Sequence, residues 1–191
     1  MEQNDALTLF RQAGALLEGH FRLSSGLHST GFVQSALVLQ NPPDAQALGS
    51  AVAARVKQLR PSVVLSPALG GLIIGHEVAR ALGVRAIFAE RSGGAEFGLR
   101  RGFHLAPGER VLVVEDVLTT GKSTRETIDV ARAAGADVVG AAAIADRSGG
   151  TVVLDVPFMT VIQLSLPTFA PDACPLCARG VPVVKPGSRP A

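Results

Sequence analysis

The chain has 191 residues, 47% of them hydrophobic and 18% charged. That is the balance of one globular domain with an appendage, or of two small ones, and it excludes a disordered chain. Fifteen Arg and three Lys against sixteen acids leave a formal charge of +2, too near neutral for a protein that holds nucleic acid by bulk charge. No stretch approaches the roughly 18–20 apolar residues of a membrane span. Met1–Asp5 has neither the basic region nor the apolar run of a signal peptide, so the expected location is the cytoplasm.

In chain order, Leu7, Phe10, Ala13 and Leu17 share one face and predict a helix over 5–18, with Asn4 or Asp5 as its cap. Phe21–Val33 alternates about a Ser-Ser-Gly centre and predicts two short strands joined by a turn. Pro42 and Pro43 open a helix near 44–59. Strand Val63–Ser66, helix Gly70–Leu82 and strand Arg85–Ala89 follow. Residues 92–104 are glycine-rich without a steady period and read as a long mobile loop. Strand Val111–Val114, a helix near 122–134 closed by Gly135, and strands Val138–Ala145 and Phe158–Ser165 complete the series. The tail Val183–Ala191 reads as frayed. Near-continuous apolar strands alternating with helices predict an α/β fold, a parallel five-stranded sheet with helices on both faces. The expected division is an N-terminal hood over 1–40, a core over 41–166 and a C-terminal segment over 167–191.

The informative stretch is 111–124, Val-Leu-Val-Val-Glu-Asp-Val-Leu-Thr-Thr-Gly-Lys-Ser-Thr. An apolar strand ends in two acids, Glu115 and Asp116, and a hydroxyl-rich loop then enters a helix. Ligands of α/β sheets bind beyond the carboxyl ends of strands, and a helix N-terminus offers free N–H groups to a phosphate. Thr119, Thr120, Ser123 and Thr124 add hydroxyls, and Gly121 allows close approach of the backbone. Gly121-Lys122-Ser123 is not a nucleotide-triphosphate loop, because that motif needs a Gly at position 116, where Asp stands. Two carboxylates beside a phosphate suit the vicinal hydroxyls of a sugar or a bridging metal. The plainer alternative, a capped helix with two incidental acids, leaves the acids at the end of so apolar a strand unexplained.

Those residues resemble the signature of the type I phosphoribosyltransferases, which use phosphoribosyl pyrophosphate. The resemblance implies that Glu115 and Asp116 hold the ribose hydroxyls and that Val117, Leu118, Thr119, Thr120, Gly121, Lys122 and Ser123 wrap the 5-phosphate. Three further segments resemble the orotate phosphoribosyltransferases within that family. They are the hairpin Leu23–Ser29, the pyrophosphate loop Ser66–Gly71 with Ala68 and Gly70, and Ala145-Asp146-Arg147-Ser148-Gly149-Gly150. The implied reaction transfers ribose 5-phosphate to orotate, giving orotidine monophosphate and pyrophosphate with Mg²⁺ as cofactor. Arg147 would grip the orotate carboxylate, with Thr119 and Phe32 beside the base. Arg91 is the one loop cation kept in alignment, and with Glu115 and Asp116 it forms the expected catalytic set. The resemblance also implies a homodimer with shared active sites. The partners expected are phosphoribosyl pyrophosphate and orotate, without nucleic acid or membrane.

The chain departs from the family at Ser24, Gly70 and Gly94, where lysines are usual. Arg100, Arg101 and His104 carry charge further along but do not align with the family's loop Lys and His. Two other readings stay open: transfer to a different base, and a regulator that senses the same donor without catalysis. Cys174-Pro175-Leu176-Cys177 has knuckle spacing, but a tetrahedral zinc site needs two more ligands, and no His is close in sequence. No residue is therefore assigned as a metal ligand. A metal shared across a dimer, a disulfide and a packed reduced turn all remain possible for the pair. His20 and His76 read as helix-end or surface residues, and His28 falls near the base by alignment.

Overall fold

The computed structural model describes residues 1–23, 25–92 and 96–186. Two of the lysine-replacing positions, Ser24 and Gly94, lie outside the described residues. The fold is organised by β3 (Val63–Pro67), β6 (Arg110–Leu118) and β7 (Asp137–Asp146), whose apolar residues are buried on both sides. Such runs need a layer on each face of the sheet. On one face Val64, Leu112, Val114, Ala142 and Ile144 pack against α1 (Gln3–Gln12), α3 (Pro42–Val56) and α4 (Gly71–Leu82). On the other, Val63, Leu65, Val111, Val113, Ala141 and Ala143 meet Ile128 and Ala131 of α5 (Lys122–Ala133). Helices α3 and α4 touch closely at Gly49, where a Cβ would stand 2.5 Å from that of Glu77.

With β4 (Arg85–Ser92), β5 (Glu96–Leu99) and β8 (Phe158–Gln163), the sheet runs β5-β4-β3-β6-β7-β8. Five strands are parallel, as expected. The sixth, β5, is antiparallel to β4, pairing Ala89 with Leu99 and Ser92 with Glu96. The segment 92–104 is thus in part a hairpin arm and not an irregular loop throughout. Its glycines hid an alternation only four residues long. From β3 the chain moves outward to β4 on one side, and from β6 to β7 and β8 on the other. The order reverses between β3 and β6, and a crevice opens beyond their carboxyl ends.

A second sheet joins β1 (Leu16–Arg22), β2 (His28–Val33) and the short β9 (Thr168–Phe169). The first helix stops at Gln12, six residues before the predicted end, because Gly14 takes a positive φ of 63° and turns the chain. Leu17 therefore belongs to β1. A one-and-a-half-turn helix, α2 (Ser35–Leu39), had no sequence forecast. The C-terminal segment ends in α6 (Pro175–Ala178) and returns along β1, where Val184 N–H donates to the His20 carbonyl at 2.8 Å. The start of the tail is therefore paired rather than frayed. His20 is a buried β1 residue, 3% exposed, which corrects its reading as a helix-end or surface residue; His76 is exposed on α4.

Candidate active site

Successive residues of a strand face opposite sides, and the two acids at the end of β6 do so. Glu115 points to the α5 face, where its Oε2 accepts a 2.7 Å hydrogen bond from Ser123 Oγ. Asp116 points to the other face, where its Oδ2 accepts from Ser35 Oγ of α2. Burial, and then the neighbouring Asp116 charge, push the Glu115 carboxyl well above the ordinary carboxylate range, and Ser123 only partly offsets this.

Beyond the acids, Val117 is half-buried, Leu118 is buried, and Thr119 and Thr120 are exposed. Gly121 turns into α5 with φ 72°. A Cβ there would lie 2.8 Å from Val152 Cγ1 and 3.0 Å from Arg125 Nη1, so glycine is required twice over. Arg125 braces the loop by donating to the Thr120 and Val153 carbonyls, each at 2.9 Å. Lys122 is exposed on the first turn of α5. Among the described residues, Thr124 Oγ1 in that turn and Ser66 Oγ at the end of β3 are buried hydroxyls without a partner.

The β3 loop meets this one at Gly70. A Cβ at Gly70 would fall 2.8–2.9 Å from the carboxylate atoms of Asp116. The Asp116 carboxylate thus packs directly against the Gly70 backbone, and a side chain at position 70 would require the acid to shift. Ala68 N–H donates to the Ala89 carbonyl at 2.8 Å and ties the loop to β4. The structure thus gathers Ala68, Gly70, Glu115, Asp116 and 117–123 about one crevice.

Arg91, near the end of β4, reaches α5. Its Nη2 lies 2.5 Å from Glu126 Oε2 on α5, and its guanidinium sits 4.1 Å from the Phe97 ring centroid. Neighbouring charge is internally matched as well: Arg101 donates two 2.9 Å hydrogen bonds to Glu90, holding that carboxyl below its ordinary pKa.

On the other flank, β7 is paired to β6 with Asp146 opposite Leu118, and Arg147 follows. Buried Asp146 accepts from the N–H groups of Ser148 at 2.7 Å and Gly150 at 3.0 Å, which fixes the turn. Arg147 then crosses to the small sheet, donating to Ser29 Oγ at 3.1 Å and the Gly31 carbonyl at 2.9 Å. Its guanidinium lies 5.8 Å from the Phe32 centroid. Among the described residues Arg147 has no acidic partner, and burial pulls its pKa below the ordinary value. A half-buried cation beside an aromatic face and without a counter-ion is built for a planar anion.

Sequence reasoning missed Ser35 and Glu126 as partners of Asp116 and Arg91. Neither carries a local signal, since each acts across the fold. A cavity of about 300 Å³ between α5 and 153–155 contains none of the candidate residues.

A family sequence model described as phosphoribosyl transferase domain matches residues 36–172. A protein of Heliobacterium modesticaldum named orotate phosphoribosyltransferase is 51% identical over 191 residues, covering 99% of this chain and 100% of its own. One of the same name from Novosphingobium aromaticivorans is 53% identical over 192 residues, covering 99% and 98%. The chain belongs to the orotate phosphoribosyltransferase family. The crystal structure of orotate phosphoribosyltransferase from Aeropyrum pernix matches with a TM-score of 0.69 at 28% identity, over 82% of this chain and 92% of that one. An adenine phosphoribosyltransferase from Thermoanaerobacter pseudethanolicus reaches a TM-score of 0.61 at 18% identity, over 70% and 88%. The fold is thus shared by proteins named for different bases.

Proposed function

We propose that the chain transfers the ribose 5-phosphate of phosphoribosyl pyrophosphate to orotate, forming orotidine monophosphate and pyrophosphate. The observation that carries this reading is Arg147: a half-buried guanidinium without a counter-ion among the described residues, 5.8 Å from the Phe32 ring centroid and just beyond the strand that pairs with β6. Orotate offers a carboxylate on a planar ring, which a guanidinium binds through two parallel hydrogen bonds. Thr119, at the exposed crest of the loop, completes the base side.

On this reading the α5 N-terminus and the 117–123 hydroxyls and N–H groups hold the 5-phosphate. Asp116 and Glu115 orient the ribose hydroxyls from opposite sides of β6. The leaving pyrophosphate lies along Ala68–Gly70 at the start of α4, and Arg91 supplies charge from the hairpin arm. As the bond from C1 to the pyrophosphate oxygen breaks, orotate N1 gives up its proton, which leaves with the pyrophosphate or passes to solvent, and closes on C1 while the ring oxygen shares the positive charge. The Asp116 carboxylate beside the ring favours that charge.

The acidic pair offers hard oxygen donors, and Mg²⁺ is commonly held by one or two carboxylates together with substrate phosphates. Asp116, the less buried acid, would be the residue to hold it. When bound, Mg²⁺ would neutralise charge on the pyrophosphate leaving group. The chain acts on this reading as a cytoplasmic homodimer with shared active sites. Among the described residues no helix is long and apolar enough to cross a membrane.

The test is to mix protein, phosphoribosyl pyrophosphate, Mg²⁺ and either orotate or adenine. Loss of orotate absorbance with pyrophosphate release supports the reading. Transfer to adenine alone gives the reading to another base, and binding of the donor without turnover gives it to a sensor. Sedimentation of the purified chain checks the dimer.

A further inference from the structure

The small sheet carries a cluster that the transfer reaction leaves unused. His20 of β1, His28 of β2, Cys174 and Cys177 bring one donor atom each to within 4.8 Å of one another. His20 Nε2 stands 2.9 Å from His28 Nδ1, 3.4 Å from Cys174 Sγ and 3.7 Å from Cys177 Sγ. Cys177 Sγ stands 3.3 Å from His28 Nδ1. Zinc–nitrogen and zinc–sulfur bonds at tetrahedral angles require edges of about 3.3–3.8 Å between ligand atoms. Three of these distances, 3.3, 3.4 and 3.7 Å, fall in that range, and the whole set lies within 4.8 Å, compact enough to close on one ion with small side-chain shifts.

The proton count points the same way. His20 Nδ1 is 2.7 Å from the Val181 carbonyl, which can only accept, so the proton sits on Nδ1. A neutral His20 then has a single lone pair on Nε2, and three potential partners crowd it. One hydrogen bond cannot satisfy them all, whereas one cation at their centre serves every donor. The Val181 contact is the outer-shell brace that metal-bound histidines usually have. His20, His28 and Cys174 are 3%, 5% and 3% exposed, and both cysteines are free.

We propose that His20 Nε2, His28 Nδ1, Cys174 Sγ and Cys177 Sγ form a structural Zn²⁺ site that clips the C-terminal segment to the β1–β2 hairpin. The donor set is closed and leaves no open position, which fits structure and not catalysis. Binding releases the two thiol protons and ties together groups from opposite ends of the chain, a linkage that stabilises the folded state. The clip also bears on the base side. Ser29 follows His28 directly, pairs with Thr168 of β9, and accepts from Arg147. Loosening the hairpin should therefore disturb orotate more than the donor. That consequence rests on the proposed reading of Arg147, whereas the metal content does not.

The test is elemental analysis of full-length protein purified under reducing conditions and titrated with Zn²⁺, beside Cys177→Ser and His28→Asn. One zinc per chain, lost in both variants, is the expected result. The wild-type protein loaded with Co²⁺ supplies a second measure that does not depend on how well either variant folds. Intense visible bands of tetrahedral cobalt with thiolate charge transfer are expected. Far less than one zinc per chain, a metal retained by both variants, octahedral cobalt bands or a Cys174–Cys177 disulfide in reductant would each overturn the site. On chelation the melting temperature should fall and KM for orotate should rise more than KM for the donor. A metal-loaded protein whose two KM values rise together would keep the clip and remove its link to Arg147.

Discussion

The crevice beyond β3 and β6 and the small sheet opposite it differ in how far apart along the chain their parts originate. On the crevice side each element is contiguous: a strand end, a loop and a helix start within 115–124, and a second set within 66–71. The small-sheet side is assembled from 20–33, 147 and 168–184, brought together only by folding. The difference teaches where each kind of specificity can reside. On the proposed reading a phosphate and a sugar are met by backbone and short side chains, which one loop supplies. On the same reading the base is gripped by a long cation, Arg147, which the small sheet holds in place.

The sharpest break of this comparison is Asp116→Asn. Losing the charge beside the ribose should lower kcat by on the order of 10²–10³-fold, with the melting temperature little changed because Ser35 still has an oxygen to meet. Gly70→Ala should act in the same direction by pushing Asp116 aside, since the added Cβ arrives 2.8–2.9 Å from its carboxylate. Steady-state kinetics with both substrates decide it, and an unaltered rate for Asp116→Asn would remove the acid from the sugar.

Arg147→Ala should be intermediate and one-sided. Removing a charged hydrogen-bonding group is worth about 1.5–3 kcal/mol, so KM for orotate should rise roughly 10–150-fold while KM for the donor stays within about twofold. Arg147→Lys should not rescue it, because an ammonium lacks the planar fork. Equal rises in both KM values would dissolve the division between the two sides.

Glu115→Gln should have the smallest effect, and it is read in stability. The folded carboxyl is raised above its ordinary value of 4.5. Below that pH both folded and unfolded chains hold the proton, and its stabilising effect is complete. As pH rises the unfolded chain ionises first, and the advantage is lost as pH climbs through the folded pKa. Melting temperatures of the wild type and Glu115→Gln should therefore converge near pH 4 and separate toward neutrality, with the variant the more stable. A gap that does not change with pH would mean that Glu115 is ionised as easily folded as unfolded.

The sequence made the five parallel strands and the 115–123 loop legible because each depends on neighbours along the chain. Burial of Val111–Val114 on both faces is written in their side chains, and the left-handed Gly121 is written in the absence of one. Arg147 could be found from its strand end, although Ser29 and Gly31, its partners, are fixed only by the crossing of the two sheets. The zinc ligands were hidden for the same reason. Cys174 and Cys177 announce themselves by spacing, while His20 and His28 sit among alternating strand residues with nothing local to mark them. The β5 arm escaped notice because four residues are too few to establish a period. The end of the first helix was missed because Leu17 continued its apolar face after Gly14 had already turned the chain.

The reversal of strand order between β3 and β6 bears on how this protein acquires its activity as it folds. Val63 pairs with Val111, so the two loops become neighbours only after a long intervening stretch has been enclosed. Contacts of such separation form late, because the chain entropy lost in closing them comes before their reward. A nascent or proteolysed chain that lacks this pairing can hold complete loops and yet possess no place for the donor. Binding of phosphoribosyl pyrophosphate would then slow amide exchange first along β3 and β6, and donor affinity becomes a gauge of whether the middle of the sheet has closed.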